Sequence, residues 1–424
     1  MRAVAHLPKT TTGVTVHPAG GAAAPSRGSG FWVIGAVLVL LMLSSSVPSA
    51  LYVLYQHKWD LSAAMITVVF ALYAVTVLGG LLLFGSLSDT LGRRPVLGAG
   101  LVLAIVSMAL FAGARGPGWL LAARAVQGLA VGLATGAMGA GLLELAPRSR
   151  PALGAQVNSA GPTVGIGLGG LGAGLLVQYG PAPTALSYLL LIGAFALTLI
   201  GVVRMRESAP GAARPGRGFS LSPHRIGVPA PVRRRFAVLV LTIVAVWSVG
   251  GFYLSLGPHL ALSLLQSTNY LVGGATVALL AGAATTAQLF LGRTEALRTA
   301  VLGLCALLAG LALVLLALGV RSAAVFLIGT AVLGAGWGAA FLGSFRALSA
   351  LAEPAHRGEL TAAVYVFAYL AMSVPAVLAG FLTNIHGLHR TSVGFMAAVA
   401  AVCAVALWVT LRLAARTRAE GGTP

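Results

Sequence analysis

Acidic residues are almost missing from this chain. Eight Asp and Glu stand in 424 residues, against 27 Lys and Arg. Charged residues of both signs make up 8%, where a soluble domain carries about a quarter, so a soluble fold is excluded. The acids are Asp60, Asp89, Glu144, Glu207, Glu295, Glu353, Glu359 and Glu420, in loops, in tails or at the ends of apolar runs. With no carboxylate or activated nucleophile inside those runs, an intramembrane enzyme is excluded too. Cysteine is scarce: Cys305 and Cys403 both lie in apolar runs, which provides no disulfide framework and no thiolate metal site. No metal and no cofactor is expected. Lysine occurs twice, at Lys9 and Lys58. Neither stands in a G-x-x-x-x-G-K-[ST] loop, which excludes an ATP-driven pump.

What is present is apolar, 58% of all residues. About 20 apolar residues in a helix cross the hydrocarbon of a bilayer, and twelve such runs can be counted: 31–55, 62–88, 95–114, 118–143, 154–179, 184–204, 236–262, 269–292, 298–319, 322–346, 360–384 and 391–413. This pattern predicts an all-α membrane protein of twelve transmembrane helices in two six-helix halves, 31–204 and 236–413. Residues 205–235, rich in Arg, Pro and Gly, read as the linker between them. Residues 1–30 and 414–424 read as tails, the first disordered by composition. A secretory signal with its core at Phe31–Leu43 is rejected, because the apolar run continues through Tyr55.

The net charge of +19 invites a nucleic-acid reading, but no basic patch with interleaved aromatics exists to support one. The basic residues instead mark topology. With both termini in the cytoplasm, 22 of them fall in cytoplasmic segments and 4, Lys58, Arg115, Arg321 and Arg390, outside. That asymmetry predicts the orientation.

Between the second and third runs lies Gly85-Ser86-Leu87-Ser88-Asp89-Thr90-Leu91-Gly92-Arg93-Arg94-Pro95. Gly85 permits close helix packing, Asp89 puts a carboxylate at a helix end, and Gly92 permits a tight turn anchored by Arg93 and Arg94. In form it is G-x-x-x-D-x-x-G-R-R, and it resembles the signature loop of the major facilitator superfamily. The resemblance covers about residues 31–413. It implies two facing halves around a midplane site, a monomer, and a loop that latches the cytoplasmic gate. Glu144 and Glu359 are the expected partners of Asp89, Arg93 and Arg94 in that latch; the alternative is that both glutamates only cap helix ends. A degenerate copy, Gly292 to Arg298, follows the eighth run without the acid.

In the fourth run, Arg124, Gln127 and Gly128 form R-x-x-Q-G, similar to the superfamily's fourth-helix motif, whose arginine is implicated in proton-coupled transport. Arg124 and Gln127 share a helix face. A buried charge is a functional candidate by default, and a snorkelling arginine is the competing reading. Gly128, Gly132 and Gly136, and then Gly161, Gly165 and Gly169, recur at spacings of four, as close helix packing requires. The fifth run resembles the antiporter motif at Gly161-Pro162, but its second pair, Gly169-Gly170, comes late. Candidate cavity residues are Asn158, Tyr52, Tyr55, Trp247, Tyr253, Trp337, Tyr365 and Tyr369. No carboxylate is available as proton carrier; His259 is the nearest titratable substitute.

These features lead to a secondary active transporter of a small organic or amphipathic solute in the lipid bilayer. The first reading is export, with protons as the candidate coupling ion. The alternatives are uptake of a small organic solute and a non-transporting sensor on the same scaffold. The preference for Arg over Lys, with abundant Ala and Gly, points to a bacterial cell inner membrane.

Overall fold

Apolarity without interruption dictates helices here, since a backbone in lipid must satisfy its own hydrogen bonds. The computed structural model describes residues 27–208, 227–351 and 357–419. Twelve of its helices are long and apolar enough to cross a membrane, and no strand occurs among the described residues. The first group is α1 (Arg27–Trp59), α2 (Ala63–Phe84), the short α3 (Leu87–Leu91), α4 (Arg93–Ala112), α5 (Pro117–Glu144), α6 (Ala152–Tyr179) and α7 (Leu186–Arg204). The second is α8 (Arg233–Ser255), the short α9 (Gly257–Leu264), α10 (Tyr270–Leu291), α11 (Ala296–Val320), α12 (Ala323–Ala350), α13 (Arg357–His386) and α14 (Leu388–Ala419).

Three departures from the expected runs have simple causes. The second run stops at Phe84, so Gly85 to Leu91 is a turn and a short helix rather than the end of a span. The seventh run breaks after Ser255, where Pro258 has no N–H to continue the ladder. Helices α1, α8 and α14 overrun their apolar runs, because a helix need not end where hydrocarbon does. Most of the expected linker and most of the N-terminal tail lie outside the described residues.

One buried core draws on α1, α2, α4, α5, α6 and α7, with Leu41, Phe70, Met108 and Phe195 inside it. A second draws chiefly on α8 to α14, with Phe252, Leu311, Phe326 and Met396. A third, smaller one gathers Phe236, Ile243, Leu348 and Leu360. The two groups of helices meet along α2/α13 and α6/α10. Small residues make those seams close. A methyl added at Gly170 would sit 2.9 Å from Val277 Cγ1, and one at Gly174 3.2 Å from Gly274 Cα. Polar contacts stitch the same seam: Asn269 Nδ2 donates to Tyr179 Oη at 3.2 Å, the Tyr270 N–H donates to Gln178 Oε1 at 2.8 Å, and the Thr163 and Thr285 hydroxyls lie 2.7 Å apart. An even number of spans puts the start of α1 at Arg27 and the end of α14 at Ala419 on one side. That side, which carries the arginine-rich loops, is called the basic face below, and the other the far face.

Candidate functional site

On the basic face, the turn after α2 builds an ionic cluster. Gly92 has φ +99°, a left-handed value that glycine adopts without strain. A side chain there would also collide with a carboxylate, since a Cβ would lie 2.6 Å from Glu207 Oε2. The first turn of α4 leaves N–H groups unpaired, and Glu207 takes two of them: Arg93 N–H to Oε1 at 2.8 Å and Arg94 N–H to Oε2 at 2.9 Å. The Arg93 side chain, mostly buried, donates to Asp89 and Ser88 through Nη1 and to Glu144 through Nη2, the last at 3.0 Å. Ser208 also donates to Glu144 at 3.0 Å. Asp89, Arg93 and Glu144 thus come together. Glu359 lies at the start of α13, beside Gly227. The fourth partner is Glu207, which sequence reasoning leaves among the loop acids. Nothing local marks it, because the contact spans more than a hundred residues.

Deeper in the same group of helices, Arg124 is wholly buried. Its Nε–H donates to Tyr52 Oη at 3.0 Å and Nη2 to the same oxygen at 2.6 Å. Nη1 donates to the Ser45 carbonyl at 2.9 Å and to Gln127 Oε1 at 2.7 Å. The rings of Tyr52, Tyr73 and Phe111 stand 5.5, 5.2 and 5.8 Å from the guanidinium carbon, within cation–π range. The cation therefore has carbonyl, phenol and ring partners, and the snorkelling reading is excluded by its complete burial.

The helix that meets Arg124 explains why Gln127 is there. Pro48 sits inside α1 and lacks the N–H that would bond the carbonyl four residues back, which is that of Ser44. Gln127 Nε2 donates to that carbonyl at 2.9 Å. Arg124 holds the next one, Ser45. The R-x-x-Q pair closes the gap that the proline opens in α1.

The other candidates divide into core and seam. Tyr52, Tyr55 and Tyr253 are buried; Tyr55 shares a hydrogen bond with Tyr188, and Tyr253 with Thr330. The indole of Trp337 donates to the Val246 carbonyl at 2.9 Å. Trp247, Tyr365 and Tyr369 remain partly exposed, and Asn158 is exposed, with its amide near Gly139. Gly128 and Gly132 press on α2, Gly136 on the Gly85 carbonyl, and Gly161, Gly165 and Gly169 on α1 between Leu38 and Ser46. His259 falls in α9 on the far face. Phe341 and Phe345 share one face of α12 through their spacing of four, and nothing else in the sequence marks them.

Twelve spans around three buried cores, with a charged cluster on one face and a seam of small residues between the two groups of helices, define a polytopic membrane carrier. The chain belongs to the major facilitator superfamily: the family model matches residues 33–297. Among solved structures it is similar to the nucleoside transporter NupG, at 11% identity and a TM-score of 0.69, over 91% of this chain and 99% of that one. It is also similar to a bacterial homolog of the human lysosomal transporter Spinster, in an inward-facing and occupied conformation. There the identity is 14% and the TM-score 0.71, over 93% of this chain and 98% of that one. At such identities the likeness is one of fold. No curated protein matches the sequence. The protein is thus a secondary transporter that carries a small solute across a membrane, and not an enzyme.

Proposed function

We propose that this carrier takes up a small organic solute, moving it by alternating access without a carboxylate that relays protons. The observation behind this reading is the placement of charge. Among the described residues, Arg124 is the one charged side chain buried away from a helix end, and it carries no acid partner. Asp60, Asp89, Glu144, Glu207, Glu295 and Glu359 all stand at helix ends or in loops. Many drug/proton antiporters keep a carboxylate within a span as proton carrier, and no Asp or Glu stands in the interior of a span among the described residues. Export is supported by the Gly161-Pro162 pair alone, and α6 runs unbroken through it.

The excess of arginines on the basic face supports placing that face, with both termini, in the cytoplasm of a bacterium. In that orientation the α6/α10 contacts near Tyr179 and Asn269 close the outer side, and Asp89, Arg93, Glu144 and Glu207 form the inner gate cluster. Asp89→Asn should then slow turnover severalfold with little change in solute affinity. The reading is tested by expressing the protein in a transporter-poor bacterium and measuring accumulation of labelled solutes. Expression should raise the rate of entry and leave it unchanged when a protonophore collapses the pH gradient. Lowered accumulation that the protonophore restores would establish proton-driven export and overturn the proposal.

A further inference from the structure

The second group of helices holds an aromatic assembly that the ionic motifs do not touch. Trp247 of α8 contacts Phe341 of α12 at a centroid distance of 6.0 Å, and Phe341 contacts Phe345 at 5.6 Å. Phe345 contacts Tyr365 of α13 at 6.2 Å, Tyr365 contacts Tyr369 at 6.2 Å, and Tyr369 returns to Trp247 at 5.0 Å. Five rings from three helices close a circuit. All five are partly exposed, and for the tyrosines that exposure is not toward lipid. The exposed stripe of α13 runs through Phe367, Leu370, Val374 and Leu378, and by helical geometry Tyr365 and Tyr369 lie roughly opposite it. Trp247 packs against all three buried cores, and Tyr369 packs against the first, which contains Tyr52 and Tyr73. The circuit therefore faces the seam between the two groups of helices. No hydrogen bond to the Tyr365 or Tyr369 hydroxyl occurs among the described residues.

On this basis we propose that the circuit formed by Trp247, Phe341, Phe345, Tyr365 and Tyr369 is the solute subsite, and that it takes a flat aromatic ring bearing no positive charge. The proposal rests on the transport reading above and adds the substrate class. Aromatic faces give a flat ring stacking partners at favourable offset distances, and the two phenols supply hydrogen bonds at its edge. Aromatic faces alone would also attract a cation. The buried Arg124 guanidinium lies 5.2 Å from the ring of Tyr73, in the core that Tyr369 packs against, and no buried carboxylate answers it among the described residues. A cationic solute is disfavoured on both counts, whereas a neutral or anionic one is not.

Three probes with one ring system and different charge test this: indole, indole-3-acetate and tryptamine. Equilibrium binding of the labelled compounds to purified full-length protein should be measurable for the first two and at least tenfold weaker for tryptamine. Tyr369→Leu and Phe345→Leu should each weaken indole-3-acetate binding about five- to tenfold, roughly the worth of one stacked pair. Tyr369→Phe, which keeps the ring and loses one edge hydrogen bond, should weaken binding about two- to fivefold, and Phe345→Tyr should stay within about twofold. Unchanged thermal melting in all four variants guards against a folding defect; where a leucine variant melts early, Phe341→Leu takes its place, with the same roughly five- to tenfold loss expected. Tryptamine binding as tight as indole-3-acetate overturns the charge selection. Equal binding in wild type and both leucine variants, or no binding of any probe, overturns the subsite. If another solute is still taken up by cells in those cases, the transport reading stands and the substrate class falls alone.

Discussion

The two groups of helices meet the same structural problems with different chemistry. Each contains a helix that runs on through an internal proline and loses one ladder hydrogen bond there, α1 at Pro48 and α13 at Pro375. In the first, the freed Ser44 carbonyl receives the Gln127 amide, and Arg124 holds Ser45 beside it. In the second, the freed carbonyl is that of Ala371, and one hydroxyl, Ser248, donates to it at 3.1 Å. The turn after α2 is held by an ionic cluster of Asp89, Arg93, Glu144 and Glu207. Its counterpart after α10 is held by Arg346, which donates to the Gly292 and Thr294 carbonyls at 3.2 and 3.0 Å. The buried arginines, Arg93 and Arg124, lie in the first group, and the five-ring aromatic circuit lies in the second. This division suggests that the first group governs rigidity and gating, while the second meets the solute.

The comparison breaks most visibly at Arg124. Arg124→Met leaves Tyr52, Gln127 and the Ser45 carbonyl without a donor. Hydrogen bonds to a charged group contribute about 1.5–3 kcal/mol each, but burying the cation costs several kcal/mol, so folding stability should change by less than the bonds alone imply. Transport should fall at least tenfold, equivalent to about 1.4 kcal/mol of barrier, as measured by counterflow in proteoliposomes. Turnover near the wild-type rate would show that the first group's charge is dispensable.

Gln127→Ala sharpens the point. It removes one bond to a carbonyl and one to the guanidinium, about 2–4 kcal/mol together, and should lower the midpoint of a detergent thermal melt. Pro48→Ala restores a backbone N–H to the Ser44 carbonyl. The loss in the double variant should therefore be smaller than in Gln127→Ala alone, with a coupling on the order of 1 kcal/mol. Additive losses would mean that Gln127 does not repair the proline break.

Much of this architecture is legible before any coordinates. Twelve spans follow from apolar length, and Arg124 and Gln127 from their spacing of three on one face. Pro48 already implies an unpaired carbonyl at Ser44, but which side chain reaches it depends on how α5 packs against α1, and helix periodicity does not carry that. The break at Pro258 is masked because apolar residues continue on both sides. Glu207 is the clearest omission: its role depends on two unpaired N–H groups more than a hundred residues earlier. The aromatic circuit is half legible. Tyr365 and Tyr369 stand out as polar aromatics, whereas Phe341 and Phe345 resemble ordinary core residues until three helices bring the rings together.

Glu207→Ala tests the ionic turn at intermediate strength. Losing a side-chain cap at a helix start costs about 0.5–2 kcal/mol, and part of that arises from charge at the positive end of the α4 dipole. The loss should shrink in high salt, because exposed electrostatics are screened within about 10 Å at 0.1 M. The corresponding change in the second group, Arg346→Met, removes bonds to carbonyls only and should show less salt dependence. Equal salt dependence in thermal melts of the two variants would erase the distinction between the turns.

The smallest effect is expected at Ser248. Its hydroxyl is neutral and buried, and it donates to a single carbonyl, so Ser248→Ala should cost about 1 kcal/mol. Pro375→Ala should abolish most of that cost by giving the Ala371 carbonyl a backbone donor. A methyl in place of the hydroxyl leaves the packing of α8 against α13 almost unchanged, so solute affinity should hold while stability drops slightly. If Ser248→Ala instead costs as much as Gln127→Ala, the charge on Arg124 adds nothing to the brace in the first group. The two proline repairs would then be equivalent, and the asymmetry between the groups would reside in the turns and the aromatic circuit alone.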